Sequence, residues 1–161
     1  MSNINVNVPF LKAVDGVVDD IKQQMERRSY QSANELRNAA QLVLRGQRSG
    51  RRYKVPGTYG KQLDRKSGKV RNGRYYTASA PGEPPAVRTG AFRMSWQPTA
   101  QVVYGSYISR IESDIRTDNG QHTLGEVLEK GTSRMAPRPH HDRILEKAEP
   151  EIFKIYSEDY F

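Results

Sequence analysis

The stretch Phe10–Leu44, FLKAVDGVVDDIKQQMERRSYQSANELRNAAQLVL, decides the fold, because its apolar residues recur at the spacing of an α-helix. The recurring positions are Val14, Val18, Ile21, Met25, Leu36, Ala40 and Val43. Charged residues fall mostly between them, which is typical of a helix with one narrow apolar face. The pattern predicts one long helix that ends before Gly46, either straight or kinked near Ser29. Ser32 and Glu35 stand at capping-box spacing, so a second helix that starts there is the alternative.

Residues 46–90, here named the basic arm, lack this periodicity and carry the positive charge. Between Arg45 and Arg88 there are twelve Lys or Arg and two acidic residues, a net charge of +10, whereas the remainder of the chain is at −2. Glycines and prolines punctuate the segment, and Arg51–Val55 and Arg74–Ser79 are predicted to pair as an extended hairpin with a turn at Asn72-Gly73. The residues predicted to face DNA or another subunit are Arg48, Arg51, Arg52, Lys54, Lys61, Arg65, Lys66, Lys69, Arg71 and Arg74.

Two kinds of partner fit this arm. Tyrosines are interleaved with its cations, and the combination of cations for phosphates with aromatic rings for base stacking favours nucleic acid. The same charges would dock equally well on an acidic protein surface. Composition alone leaves these two partners open.

The residues after the arm favour strands and then helices. From Phe92 to Ile115 we expect strands, with Met94 and Trp96 as one apolar pair and a turn at Gly105-Ser106. Thr123–Lys130 reads as a short helix, with Thr123 and Glu126 at capping-box spacing and Gly131 as an αL C-cap. A last helix is expected from near Pro139, kinked or halved by Pro150. Its predicted inner residues are Ile144, Leu145, Ala148, Ile152, Phe153 and Tyr156.

Composition excludes several classes of protein. With 35% hydrophobic residues and a mean hydropathy of −0.82, the chain predicts a thin core that neighbouring subunits complete. There is no cysteine, so disulfides, thiolate metal sites and a cysteine nucleophile are excluded. No apolar run approaches the roughly 20 residues that span a bilayer, and residues 1–8 do not resemble a signal peptide. We expect the protein to be made and used in a cytoplasm.

The sequence gives only weak signals of metal-binding or catalytic side-chain clusters. His140, His141 and Asp142 are consecutive, and side chains of consecutive helical residues point in different directions, so we expect no shared metal ion. Glu126 and Glu129 lie one helical turn apart, but no histidine or third acid stands at a recognisable spacing. The sequence predicts no catalysis, no cofactor, no metal and no small-molecule substrate.

Two segments resemble one family. The first is SAPGEPPAVRTG, Ser79–Gly90, and the second is EVLEKGTSRMAPRP, Glu126–Pro139. Together they are similar to the tail-component family of long-tailed phages that includes the minor tail protein Z of phage lambda. The resemblance covers roughly residues 36–148, although Lys130 and His140 stand where the family usually has aromatic residues. The motif positions expected to serve assembly are Pro81, Gly82, Glu83, Pro84, Thr89, Gly90, Glu129, Gly131, Thr132, Arg138 and Pro139.

The resemblance implies a structural virion protein that forms a ring, most simply sixfold, at the head–tail junction or tail terminus. Its expected partners are further copies of itself, neighbouring neck, terminator or tail-tube proteins, and packaged DNA in the channel. Its expected place is the virion, after assembly in the host cytoplasm. We expect a single α+β domain, residues 1–161: a long N-terminal helix and a C-terminal helix packed on a small, mostly antiparallel sheet, with the extended basic arm. A nucleic-acid-binding module without a virion role is the alternative.

Overall fold

The structure combines two long helices with short antiparallel strand pairs. The computed structural model describes residues 8–55, 62–63, 70–71 and 75–159, with side chains for residues 12–55 and 75–159. Its order is one helix, four short strands, a helix, two longer strands and two helices. All strand pairs are antiparallel. The predicted α+β class, with long helices near both ends of the chain, is confirmed.

Helix α1, Val8–Arg45, is continuous over 38 residues. The single long helix that ends before Gly46 is therefore confirmed, and the alternative start at Ser32 is wrong. The Ser32 hydroxyl donates to the Arg28 carbonyl oxygen one turn earlier, at 2.9 Å, so it satisfies a bond inside the helix and caps nothing. At 1.5 Å per residue, α1 is about 57 Å long.

Only the C-terminal part of α1 enters the core. Leu36 and Ala40 are buried as predicted, whereas Val14 and Val18 are each 42% exposed. Every side chain from Lys12 to Asp20 is exposed. The apolar spacing was correctly read as helical, but this chain buries only the part of the stripe nearer the C-terminus of α1.

The basic arm contains two nested strand pairs. Strand β1, Arg52–Lys54, pairs with β4, Tyr75–Thr77, and β2, Gln62–Leu63, pairs with β3, Val70–Arg71. The predicted pairing of residues 51–55 with residues 74–79 is confirmed. The predicted turn at residues 72–73 lies outside the described residues.

A short helix and a hairpin follow the arm. Helix α2, Ala91–Met94, occupies the start of the stretch that was expected to be a strand. Met94 is 57% exposed, whereas Trp96 is buried. The prediction that these two side chains form one apolar pair is therefore wrong. Strands β5, Gln97–Val103, and β6, Ser106–Glu112, pair over their full length. Their turn is Tyr104-Gly105, one residue earlier than predicted. Both turn residues have positive φ, as a two-residue hairpin loop requires.

Two helices complete the chain. Helix α3, Leu124–Lys130, was correctly predicted, but the capping box is not formed: Thr123 makes no side-chain capping bond, and Glu126 pairs with Lys130 at 2.8 Å. Helix α4, His141–Ser157, continues through Pro150, so that proline does not end it. Ile144 and Ala148 are buried as predicted. Leu145 and Phe153 are exposed, and their prediction as inner residues is wrong.

The core lies where α1 meets α4 on one side and β5 and β6 on the other. In the described part of the chain its buried apolar residues are Ala33, Leu36, Ala39, Ala40, Leu44, Trp96, Ile144 and Ala148. Half of these are alanines, so the helices approach closely but remove little apolar area from water. The core is thin, as the composition predicted.

Candidate functional site

The two family-like segments lie against each other in a motif junction, defined as residues 79–90 together with residues 129–143. The Arg138 guanidinium donates to the Ser79 carbonyl oxygen at 2.5 Å and to that of Ala80 at 3.4 Å. The Gly82 N–H donates to the Pro137 carbonyl oxygen at 3.2 Å. Because Arg138 stands between Pro137 and Pro139, the sequence predicts a rigidly placed guanidinium that binds a carboxylate, that of Glu129 or of a neighbour. The structure corrects this, because the guanidinium holds backbone carbonyls of its own chain.

Glu83 fastens the first segment to the end of α1. Its carboxylate accepts bonds from the Ser49 hydroxyl at 2.6 Å, the Ser49 N–H at 3.1 Å and the Ala80 N–H at 2.9 Å. The Ser49 hydroxyl bond, followed by the two backbone bonds, lowers the pKa of Glu83 to about 2. Ser49 was not singled out in the sequence, since a serine in a glycine-rich loop carries no signal of such a bond.

Arg48, in the basic arm, bonds the first family-like segment to the end of α1. Its guanidinium donates to the Pro85 carbonyl oxygen at 3.1 and 3.3 Å and to the Val43 carbonyl oxygen at 2.8 Å. Arg48, one of the residues predicted to face DNA or another subunit, therefore bonds carbonyls of its own chain. The side chain adds a bond to a carbonyl in the last turn of α1, as cations commonly do there.

The turn residues of the two motifs fix the path of the backbone. Gly90 has φ 90° and is the N-cap of α2, where the Ala91 N–H also reaches the Thr89 hydroxyl at 3.3 Å. The Pro84 carbonyl oxygen accepts from the Ser79 hydroxyl at 2.7 Å, which closes the Pro-rich turn on itself. The Thr132 N–H donates to the Met135 carbonyl oxygen at 2.8 Å.

Gly131 is the C-cap of α3, but its conformation is not the expected αL. With φ 75° and ψ −172° it lies in a region that only glycine occupies readily. A Cβ there would lie 2.6 Å from the Met135 carbonyl oxygen and 2.8 Å from the Pro137 nitrogen. The chain doubles back here so tightly that no side chain fits.

Glu129 and two histidines meet at the start of α4. The Glu129 carboxylate accepts from the backbone N–H groups of His140, at 2.9 Å, and His141, at 3.3 Å, and so caps the helix. Its oxygen also lies 2.8 Å from His140 Nδ1. Burial lowers the pKa of His140, although the Arg138 carbonyl and Glu129 oppose that shift.

The expectation that His140 and His141 point apart is wrong. Their ring centroids are 4.6 Å apart, because His140 precedes the first helical turn and has φ −141°, outside the helical range. His140 is fully buried, and the rings of Phe92 and Trp96 meet it edge-on at 5.7 and 6.0 Å. Asp142 is not part of this group. Glu129, eleven residues before His140, gave no spacing signal that could have marked it as the partner.

The basic hairpin, defined as β1 and β4, displays cations beside aromatic rings. The Arg52 guanidinium lies 4.6 Å from the ring centroid of Tyr75, and the rings of Tyr53 and Tyr76 stack at 5.9 Å. Arg51, Arg52 and Lys54 are exposed, as predicted for contact residues. Arg71 is described by its strand backbone alone. The predicted contact residues outside the described part of the chain are Lys61, Arg65, Lys66, Lys69 and Arg74.

The projecting half of α1, defined as residues 12–20, offers the opposite charge. It carries Asp15, Asp19 and Asp20 against Lys12, and all of these are exposed. Val14, Val17 and Val18 add an apolar stripe that is 42–46% exposed. One chain thus displays an acidic, partly apolar helix and a basic, aromatic hairpin.

Comparison of the chain with protein-family models, curated proteins and solved structures finds no match. In the part of the chain that the structure describes, no helix is long and apolar enough to cross a membrane.

Proposed function

We propose that this protein is a ring-forming structural subunit of a tailed-phage virion, placed at the head–tail junction or at the tail terminus. The observation that carries the proposal is the pair of exposed surfaces of opposite charge, the projecting half of α1 and the basic hairpin. Two different patches that bind each other on successive identical subunits make a head-to-tail contact, and such contacts form a ring when the rotation from one subunit to the next closes on itself. The likeness of residues 79–90 and 126–139 to phage tail components supports the virion setting.

The projecting half of α1 has the chemistry of an interface. Three exposed valines within five residues form a stripe along one side of the helix. Three aspartates beside that stripe favour a basic partner over a membrane or nucleic acid. A thin core and an exposed stripe are expected of a subunit whose apolar surface is completed by a neighbour.

The motif junction supports a structural role. Its polar side chains are engaged by other parts of the same chain: Glu83 by Ser49, Arg138 by the carbonyls of residues 79 and 80, and Glu129 by the N-terminus of α4. These bonds fix the arm and α3 relative to α1 and α4. Such a junction presents the outer surfaces in a constant arrangement.

Sixfold symmetry is proposed because phage tails are built on sixfold or threefold symmetry. The other partners would be neck, terminator or tail-tube proteins, with packaged DNA in the central channel. The test is a count of copies per virion by quantitative mass spectrometry or by imaging. A ring of six or another multiple of three is expected, and a single copy per particle would contradict the proposal.

Binding to nucleic acid without a virion role is the second candidate. The observation in its favour is the exposure of Tyr53, Tyr75 and the neighbouring cations on the basic hairpin. DNA affinity of the purified protein, measured across a salt series, separates the two. Tight binding that falls steeply with salt, in a protein that does not associate with itself, would favour this candidate.

A further inference from the structure

Three side chains that can bind a transition metal meet at the start of α4. One ligand atom from each of Glu129, His140 and His141 lies within 4.8 Å of the other two. The Glu129 oxygen is 2.8 Å from His140 Nδ1 and 3.8 Å from His141 Nδ1. His140 is fully buried, Glu129 is 22% exposed and His141 is 49% exposed, so the group is anchored inside and reachable from solvent.

These separations suit a small tetrahedral ion. Zinc bonds to histidine nitrogen and carboxylate oxygen are about 2.0–2.2 Å long, which places neighbouring ligand atoms about 3.3–3.5 Å apart. The two measured separations lie on either side of that range, so shifts of about half an ångström would bring Glu129 to both histidines. The ligand nitrogens of His140 and His141 lie within 4.8 Å of each other, and a rotation of the half-exposed His141 ring would bring them to the separation that zinc requires.

The proton arrangement is compatible with such an ion. His140 Nδ1 lies 3.0 Å from the Arg138 carbonyl oxygen and 2.8 Å from the Glu129 oxygen. Both neighbours are acceptors, so in the metal-free protein Nδ1 carries the proton of the neutral ring. A bound ion would take the place of that proton, which moves to Nε2. Nε2 is buried without a hydrogen-bond partner among the described residues, so its new N–H would meet no acceptor there, a cost that the bonds to the metal must exceed.

We propose that Glu129, His140 and His141 form a binding site for a transition-metal ion of the zinc type. Two imidazoles and one carboxylate select such ions over magnesium or calcium, which prefer all-oxygen ligands. The helix N-terminus opposes a cation, and the negative charge of Glu129 offsets that effect. The ion would tie α3 to α4 across residues 131–139, and the fourth coordination position stays open to water or to a neighbouring molecule.

The test is a titration of the untagged, metal-free full-length chain with Zn²⁺, in competition with a chromophoric chelator. We expect one ion per chain. His141→Ala should weaken binding by more than about tenfold, the smallest loss usual when a residue that merely hydrogen-bonds to a ligand is removed. His122→Ala is the matched control, because this exposed loop histidine lies outside the cluster, and its affinity should equal that of the wild type.

His140 is buried and Glu129 caps a helix, so variants there risk misfolding, and a second measurement avoids them. Zn²⁺ should raise the melting temperature of the wild type and of His122→Ala equally, and raise that of His141→Ala by less at the same concentration. It should also shift the side-chain ¹⁵N resonances of His140 and His141 but not those of His122. No binding, equal binding by His141→Ala, or binding lost in His122→Ala would each overturn the proposal.

Discussion

At the scale of single residues, this chain uses its charged motif positions to hold its own backbone. Glu83 accepts from Ser49 and from the Ala80 N–H, and Arg138 donates to the carbonyls of residues 79 and 80. Bonds between a charged group and a buried or constrained backbone group are stronger than neutral ones. Substitution of these residues should therefore first of all lower the stability of the isolated chain.

Gly131 gives the sharpest residue-scale prediction. Gly131→Ala should destabilise the fold by at least about 2 kcal/mol, because the residue occupies a region that costs other residues about 1–3 kcal/mol. In addition, its Cβ would meet the Met135 carbonyl oxygen at 2.6 Å. Gly131→Val should be worse. Chemical denaturation of the purified chain measures the change.

Gly120→Ala is the control for Gly131. Gly120 also has a positive φ, 69°, but a Cβ there would meet nothing within 4 Å. Gly120→Ala should lower the free energy of unfolding by only about 1 kcal/mol, which is the cost of the left-handed conformation alone. Equal losses for the two alanine variants would show that the close approach to Met135 is not what requires glycine at position 131.

The lowered pKa of Glu83 predicts that the stability of the folded chain depends on pH. Its pKa is lowered from 4.5 to about 2 in the folded chain, so the folded state binds its proton less readily than the unfolded state. The contribution of Glu83 is therefore complete above about pH 4.5 and is lost as the pH falls towards about 2. Glu83→Gln should lower the melting temperature at pH 6 and flatten its fall between these pH values.

The control for Glu83 is Glu151→Gln, which removes an exposed carboxylate from α4. Its melting temperature should follow that of the wild type across the series. If Glu83→Gln instead fell as steeply as the wild type in acid, the bonds from Ser49 and Ala80 would not be the cause.

At the scale of elements, α1 and the basic hairpin carry the proposed contact between subunits. Reversal of the acidic side, by Asp15→Lys, Asp19→Lys and Asp20→Lys together, should abolish incorporation into particles, because like charges would then face each other. Reversal of the basic side, by Arg51→Glu, Arg52→Glu and Lys54→Glu, should do the same. The two reversals combined should restore incorporation, measured as protein per purified particle.

The matched control changes as many charges elsewhere. Glu146→Lys, Glu149→Lys and Glu151→Lys lie on exposed positions of α4 and should leave incorporation unaltered. Circular dichroism of each purified variant checks that it folds. Failure of the combined reversal to restore incorporation would mean that these two surfaces do not meet, even if the ring itself exists.

The basic hairpin also predicts a change in backbone protection. Its ladder joins three residues on each side, and isolated two-stranded hairpins are marginal in water. Amides of residues 52–54 and 75–77 should exchange quickly in the monomer and slowly in the assembled particle. Amides of residues 33–44, in the buried part of α1, serve as the reference and should be protected in both. Equal hairpin protection in the two states would mean that the arm folds on its own subunit.

At the scale of the whole molecule, the thin core and the bonded motif junction are what we expect of a structural subunit that contributes contact surface. A phage that lacks this protein should fill its capsids with DNA and form tail tubes, yet yield no infectious particles. Electron microscopy and a DNA-protection assay of the lysate measure these outcomes, and expression of the protein from a plasmid should restore infectivity. A block in packaging or replication would contradict the structural role.

The sequence by itself determined most of the elements, but not helix α2, whose residues were expected to be extended. Apolar spacing marked α1, β-forming residues marked the paired ends of the basic arm, and Gly131 marked the end of α3, because these signals act over a few residues. The charge separation between the arm and the rest of the chain is likewise a property of composition alone.

Only the tertiary structure decided which residues meet. Val14 and Leu36 share one helical stripe, but burial depends on where α4 and the β5–β6 hairpin lie along α1. His140 and His141 come together because the chain bends before α4, and Glu129 joins them from the preceding helix. The spacing of residues along the chain predicts the direction of their side chains only within one helix or strand. Contacts between elements follow from packing, to which distant residues contribute together.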